Sequence, residues 1–259
     1  METVIAFVMG ACVGSFLNVC IARLPLAQSV VTPGSHCMAC GKPVRWFDNI
    51  PILSYFILGG KCRDCKAAYS IRYAFVELLT ALTFVLFYRS FGVTPFGAIY
   101  LTLTLALITQ TFIDFDHQII PDEITLPGII LGFVFSGIFP GLHGQTVWHQ
   151  GLLQSLFGIL AGGGFLYASA MLAEFFLKKE AMGGGDIKLL AMIGALIGWL
   201  GAFWVIFAAS LIGSVVGIYL RITKGQQLIP FGPYIGAGAV LYLFYGQKVI
   251  GWYIGRLGF

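Results

Sequence analysis

Eight apolar runs leave this chain little choice of environment. They lie at about residues 4–22, 73–91, 95–113, 124–139, 152–177, 187–199, 202–220 and 233–250. A helix of about 20 apolar residues spans the hydrocarbon core of a bilayer, and only helices and closed barrels satisfy their backbone polar groups there. The charged fraction is 10%, against about 25% in soluble domains. The pattern predicts an all-α polytopic membrane protein with about eight transmembrane helices. The opening Met-Glu-Thr-Val lacks the basic stretch of a secretory signal, so the first run is expected to stay as a membrane helix. Glycines spaced by four recur at Gly10/Gly14, Gly128/Gly132, Gly158/Gly162, Gly194/Gly198 and Gly213/Gly217, and such spacings predict close helix packing.

One long polar stretch interrupts the apolar pattern. Residues 23–72 are rich in turn formers, among them Pro33-Gly34, Pro51 and Gly59-Gly60, and read as a small inserted domain. The expected organisation is a first helix over 1–22, the insertion over 23–72 and a membrane core of about seven helices over 73–259. Twelve of the 15 basic residues fall on the side that carries the insertion. The positive-inside bias therefore predicts a cytoplasmic insertion and an N-terminus outside.

The insertion holds Cys37, Cys40, Cys62 and Cys65 as two C-x-x-C pairs separated by 21 residues. Such spacing suits structural zinc, and a reducing cytoplasm favours thiolate–metal bonds over disulfides. Four-sulfur coordination would fold a segment with little core of its own and leave no open catalytic position. Disulfides or redox thiols are the competing reading. His36, next to Cys37, is a weaker ligand candidate.

Chemistry is expected where acids meet the apolar runs. Met182–Lys188 reads Met-Gly-Gly-Gly-Asp-Ile-Lys, which places Asp186 at the head of a run. A carboxylate at full membrane depth costs roughly 2.5–3.5 kcal/mol, so it is seldom accidental. Glycines such as Gly183 and Gly185 let another segment approach it closely. Helix capping is the bland alternative. A second acid, Asp114, ends the run 95–113 on the same predicted side, ahead of Asp116, Asp122 and Glu123. Asp116 and Glu123 read as solvated, whereas Asp122 is placed to cap the helix after Pro121. Two carboxylates a few ångströms apart cannot both ionise cheaply and share a proton. That arrangement suits acid–base hydrolysis of an amide by an activated water.

Lys188 either biases the Asp186 carboxylate and holds substrate, or snorkels to the interface. Glu77 is an intramembrane acid and hence a functional candidate, with a structural pairing as the alternative. Pro230 and Pro233 break the chain before the last run. Backbone groups freed there either hold a substrate strand or merely start a helix. A proton- or cation-coupled transporter is the alternative function, although no internal repeat is visible.

Several motifs together resemble those of the type IV prepilin peptidases, a family of G-x-G-D intramembrane aspartic peptidases. They are Gly183-Gly184-Gly185-Asp186; Asp114 with Ile120-Pro121-Asp122; Gly14-Ser15-Phe16-Leu17-Asn18; Asn49-Ile50-Pro51; and Pro230-Phe231-Gly232-Pro233. Ala181 stands where that family commonly has Gly. The resemblance implies Asp114 and Asp186 as the catalytic pair. It also implies an inner-membrane endopeptidase that removes the basic leader of prepilins and pseudopilins after a Gly, at the cytoplasmic face. N-methylation of the new terminus from S-adenosylmethionine is implied by resemblance alone. The four acids of residues 114–123, with no Lys or Arg among them, could attract a basic leader. The expected partners are those substrates and the lipid bilayer, with no nucleic acid.

Overall fold

The computed structural model describes residues 1–178, 182–224 and 230–256. Ala181, noted above, and Lys179, counted among the basic residues, lie outside them. All eight apolar runs are helical, and the described residues contain no β-strand, only two isolated bridges. The fold is all-α, as the runs predict.

Among the described residues, five helices are long and apolar enough to cross a membrane: Glu2–Leu26, Arg72–Phe91, Pro95–His117, Trp148–Phe176 and Gly184–Thr223. The difference from eight has identifiable sources. Helix α5 (Asp122–Ile138) has 17 residues, short of a full span, and the last run, which continues from α9 (Gly232–Leu241) through the π-turn Tyr242–Gly246 into the helix Gln247–Arg256, is not among the five. The runs 187–199 and 202–220 are joined in α8 (Gly184–Lys224), whose backbone breaks at Gly198 with φ 76° and ψ 178°. That φ belongs to the region that glycine adopts without steric cost.

The chain divides into two compact units, Met1–Thr109 and Gln110–Phe259. In the first, α1 (Glu2–Arg23) packs along α3 (Arg72–Phe91). The reason lies in the glycine spacing. A Cβ on Gly10 would lie 2.7 Å from the Ala81 Cα, and one on Gly14 would lie 2.7 Å from the Glu77 Cα. The insertion between these helices contains the short helix α2 (Leu53–Ile57). Thr80 and Thr83 return their hydroxyls to carbonyls one turn back, which satisfies polar groups without a partner helix.

The second unit is built around the first half of α8. Leu189, Leu190, Met192, Ile193 and Ala195 are all at most 2% exposed. A helix covered on every side has no polar face, which explains its unbroken apolar sequence. The helices packed on α8 are α5, α6 (Trp148–Ile159) and the π-turn Leu160–Gly164 that leads into α7 (Phe165–Leu177), together with α9, whose Gly238 meets Val205 and Ala208 beyond the Gly198 break. Gly158 and Gly194 face one another so closely that a Cβ on either would come within 2.2 Å of the other's carbonyl oxygen. At the α8 break, His143 Nε2 lies 2.8 Å from Ser136 Oγ, which itself donates to the Ala195 carbonyl.

Candidate active site and metal centre

Asp114 lies one turn before the end of α4 (Pro95–His117) and is 5% exposed. Asp186 sits in the first turn of α8, its backbone N–H bonded to the Gly183 carbonyl. Both belong to the second unit. The two acids that the sequence singled out therefore lie in one compact unit.

The three glycines before Asp186 are not equivalent. A Cβ on Gly185 would lie 2.9 Å from Ile120 Cβ, whereas one on Gly183 would make only an ordinary 3.8 Å contact with the Asp186 carboxylate. A Cβ on Gly184 would meet nothing within 4 Å. Close approach is therefore required at Gly185, where the segment after Asp114 crosses the start of α8.

Two residues escaped the sequence reading as site residues. Gly232, the first residue of α9, donates its N–H to Asp114 Oδ2 at 3.0 Å. Its carbonyl accepts from Gln110 Nε2 at 3.3 Å. Gln110 is fully buried, and its Oε1 has no protein partner among the described residues. The available signal was Gln110 as a polar residue inside an apolar run, four residues before Asp114 and hence on the same helix face. The Pro-Phe-Gly-Pro break does start a helix, with Pro233 in the first turn. The Gly232 backbone groups it frees are engaged by Asp114 and Gln110 rather than left open to a substrate strand.

Lys188 does something neither sequence alternative named. Its Nζ donates to both oxygens of Asp122, at 2.7 and 2.8 Å. Asp122 opens α5 without forming a side-chain cap. Glu77, in the first unit, accepts the Ile52 N–H at 2.6 Å and a hydrogen bond from Ser15. That is the structural pairing considered for it, although one with no cationic partner in these two bonds.

The four loop cysteines form one cluster, with all sulfur atoms within 4.8 Å of one another. Two turns of the same design build it. Cys37 N–H bonds the Lys42 carbonyl and Cys62 N–H bonds the Ala67 carbonyl, each at 2.9 Å. The fourth residue after each, Gly41 and Lys66, has φ of 69° and 60°. Isolated bridges His36–Pro43 and Lys61–Ala68 close the two turns at matching positions. Cys37 and Cys65 sulfurs are 3.8 Å apart, the edge length of a tetrahedron with metal–sulfur bonds of about 2.3 Å. Backbone hydrogen bonds from Cys40 and Ala39 draw the Cys37 thiol down to about 6, toward the thiolate that a metal requires. All four cysteines are free thiols, and the site can hold a metal ion. His36 Nδ1 lies 3.0 Å from the Gly34 carbonyl, and His36 is not one of the four clustered ligands.

Comparison with known proteins agrees with this division of sites. Residues 8–91 match the family described as bacterial peptidase A24 N-terminal domain, and residues 101–218 match the type IV leader peptidase family. A prepilin leader peptidase/N-methyltransferase of Myxococcus xanthus is 40% identical over 86% of this chain, which spans 64% of that relative's length. Relatives of the same name in Pseudomonas aeruginosa and Neisseria gonorrhoeae are 36% and 37% identical over 97% and 88% of this chain, covering 93% and 85% of their own lengths. No solved structure matches. With both family regions in order and a relative matched nearly end to end, the chain belongs to the type IV leader peptidase family.

Proposed function

We propose that this protein is a membrane aspartic endopeptidase that removes the basic leader of type IV prepilins and pseudopilins after a Gly, at the cytoplasmic face of the inner membrane, and N-methylates the exposed terminus. The observation that carries the cleavage reading is the fixing of Asp114 by the Gly232 N–H at 3.0 Å, in the same compact unit as Asp186, whose preceding Gly185 packs against Ile120. The membrane helices and the family support the location. The 12-to-3 distribution of basic residues supports an outside N-terminus. Nothing in the family match or the fold supports the transport reading.

Asp114 and Asp186 act as an acid–base pair. The ionised member takes a proton from water as the oxygen attacks the scissile carbonyl carbon. The protonated member donates to the carbonyl oxygen. The C–N bond then breaks, and a proton from the dyad reaches the leaving nitrogen. Water is consumed and no acyl intermediate forms. The Gly232 N–H occupies one lone pair of Asp114 Oδ2, which fixes the carboxylate before substrate arrives and limits which oxygen carries the proton. Buried Gln110 holds Gly232 in turn.

Zinc is the metal that best suits four thiolates at tetrahedral spacing. It would be held by Cys37, Cys40, Cys62 and Cys65 and would stabilise the insertion without entering the reaction. For methyl transfer, S-adenosylmethionine supplies an electrophilic methyl group when bound.

The test is incubation of the purified protein with a prepilin and labelled methyl donor, read by mass spectrometry. Wild type yields the shortened chain plus one methyl. Asp114→Asn and Asp186→Asn are expected to insert and fold yet lose cleavage by about 10²–10⁴-fold or more. Normal cleavage by either variant removes that residue from the mechanism.

A further inference from the structure

We propose that the short helix α2 of the insertion docks on the lipid leaflet, with Leu53, Phe56 and Ile57 seated at the boundary between phospholipid headgroups and acyl chains. The partner of this face is the bilayer itself, and the insertion rides on the membrane rather than standing free in water.

Helix α2 has two unlike sides. Ser54 is buried, and its Oγ accepts the Ile50 N–H at 2.9 Å and donates to the Phe47 carbonyl at 3.3 Å. The Tyr55 ring meets Tyr69 edge-to-face, with centroids 5.5 Å apart. Leu53, Phe56 and Ile57 follow the i, i+3, i+4 spacing of the other side and are 58%, 67% and 72% exposed. A helix of five residues does not hold itself together in water, so its position is set by what grips it. The grip is at its head. Ile52 has φ 66° and ψ −55°, a conformation rare for a β-branched residue, and its N–H is held by Glu77 Oε2 at 2.6 Å.

Glu77 also sets the depth. At 1.5 Å of rise per residue it lies about 7–8 Å along α3 from Arg72, and Ser15, which bonds the same carboxylate, lies about 12 Å along α1 from Arg23. Both helices are long and apolar enough to cross the membrane, and Arg23 and Arg72 end their apolar runs on this side, as interfacial cations do. The head of α2 is therefore fixed about 7–12 Å inside the ends of two spans. Amphipathic helices that lie on a bilayer bury their apolar face about 5–10 Å into the headgroup and acyl boundary, which is the same level. The exposed side of α3 continues this surface. Ile71, Phe75, Leu78, Leu82 and Leu86 recur at helical spacing and are all at least 40% exposed, and Glu77 lies between Phe75 and Leu78, at the rim of that stripe. Beyond α2, the Lys61 N–H bonds the Leu58 carbonyl at 3.3 Å. This sets an exposed cation beside the apolar face, a combination suited to lipid phosphates over acyl chains.

The test uses the full-length protein in nanodiscs of phosphatidylethanolamine and phosphatidylglycerol. Photoreactive p-benzoylphenylalanine replaces Phe56 in one variant and Ile57 in another. Irradiation should attach phospholipid at both positions, read by mass spectrometry. Adducts only to a second copy of the chain or to an added prepilin, or no adduct at either position, would overturn the proposal. A second arm is Phe56→Glu, which puts a charge on the docking face. It should raise amide hydrogen exchange of residues 53–58 by about tenfold or more, while exchange across α1 and α3 stays as in wild type. Unchanged exchange of residues 53–58 would also overturn the proposal. The crosslinking arm keeps an aromatic group at Phe56 and decides the matter even if Phe56→Glu does not fold.

Discussion

The backbone N–H of Gly232 bonds Asp114 Oδ2 at 3.0 Å across 118 residues of chain. A Cβ added at Gly232 would fall 2.6 Å from that oxygen and 3.1 Å from Gln110 Oε1. Gly232→Ala must therefore displace the carboxylate or the start of α9. Misplacement of a catalytic group by about 1 Å costs on the order of 10²-fold. Gly232→Ala is expected to lower prepilin cleavage by about that factor while the protein still extracts and purifies as a folded membrane protein. Wild-type cleavage rates in this variant would show that the hydrogen bond does not position Asp114.

Metal removal should act on the insertion. Elemental analysis of the purified protein should find about one zinc per chain, lost in Cys37→Ser or Cys62→Ser. Structural zinc sites of this kind contribute on the order of 10 kcal/mol of apparent binding energy. Chelation or either substitution should make residues 23–72 sensitive to protease. Metal-free protein with a protease-resistant insertion would rule out the structural role.

Stability should fall on the acid side through His143. Burial pushes its imidazole down to about 4, below the ordinary value of about 6.5. The unfolded chain therefore binds the proton more readily than the folded one between these limits. This contribution is intact above about pH 6.5 and declines as pH drops toward about 4. Thermal unfolding midpoints of wild type should decrease over that window more than those of His143→Gln. Parallel pH profiles would show that the imidazole is not kept neutral beside Ser136.

The Lys188–Asp122 pair is half-exposed, with side chains 40% and 51% accessible. Exposed ion pairs contribute about 0–1 kcal/mol. Lys188→Ala should lower the unfolding midpoint by no more than about 4 °C. Exchanging the two residues should restore most of both stability and cleavage if the pair only joins α5 to α8. Recovery of stability without cleavage would return Lys188 to substrate binding.

Helix closeness at the glycine spacings was legible because it follows from local steric facts. Gly10, Gly14, Gly158 and Gly194 have no Cβ, and neighbouring helices occupy the space that a Cβ would take. The cysteine cluster was legible for a similar reason, since two short turns of equal design repeat the same spacing. Lys188 was not legible, because its choice of Asp122 depends on where α5 starts relative to α8. Gln110 and Gly232 were missed because neither carries charge.

By itself the sequence determined the apolar helices, the acids at their ends and the four clustered thiols. Hydropathy, helix periodicity and ligand spacing act over a few residues and can be read along a line. Tertiary structure alone decided that Gly232 reaches Asp114, that the Gly232 carbonyl meets Gln110, and that α8 breaks at Gly198 beside His143. Those contacts join segments remote in sequence. A backbone N–H is present at every residue except proline, so only packing selects which one meets a buried carboxylate.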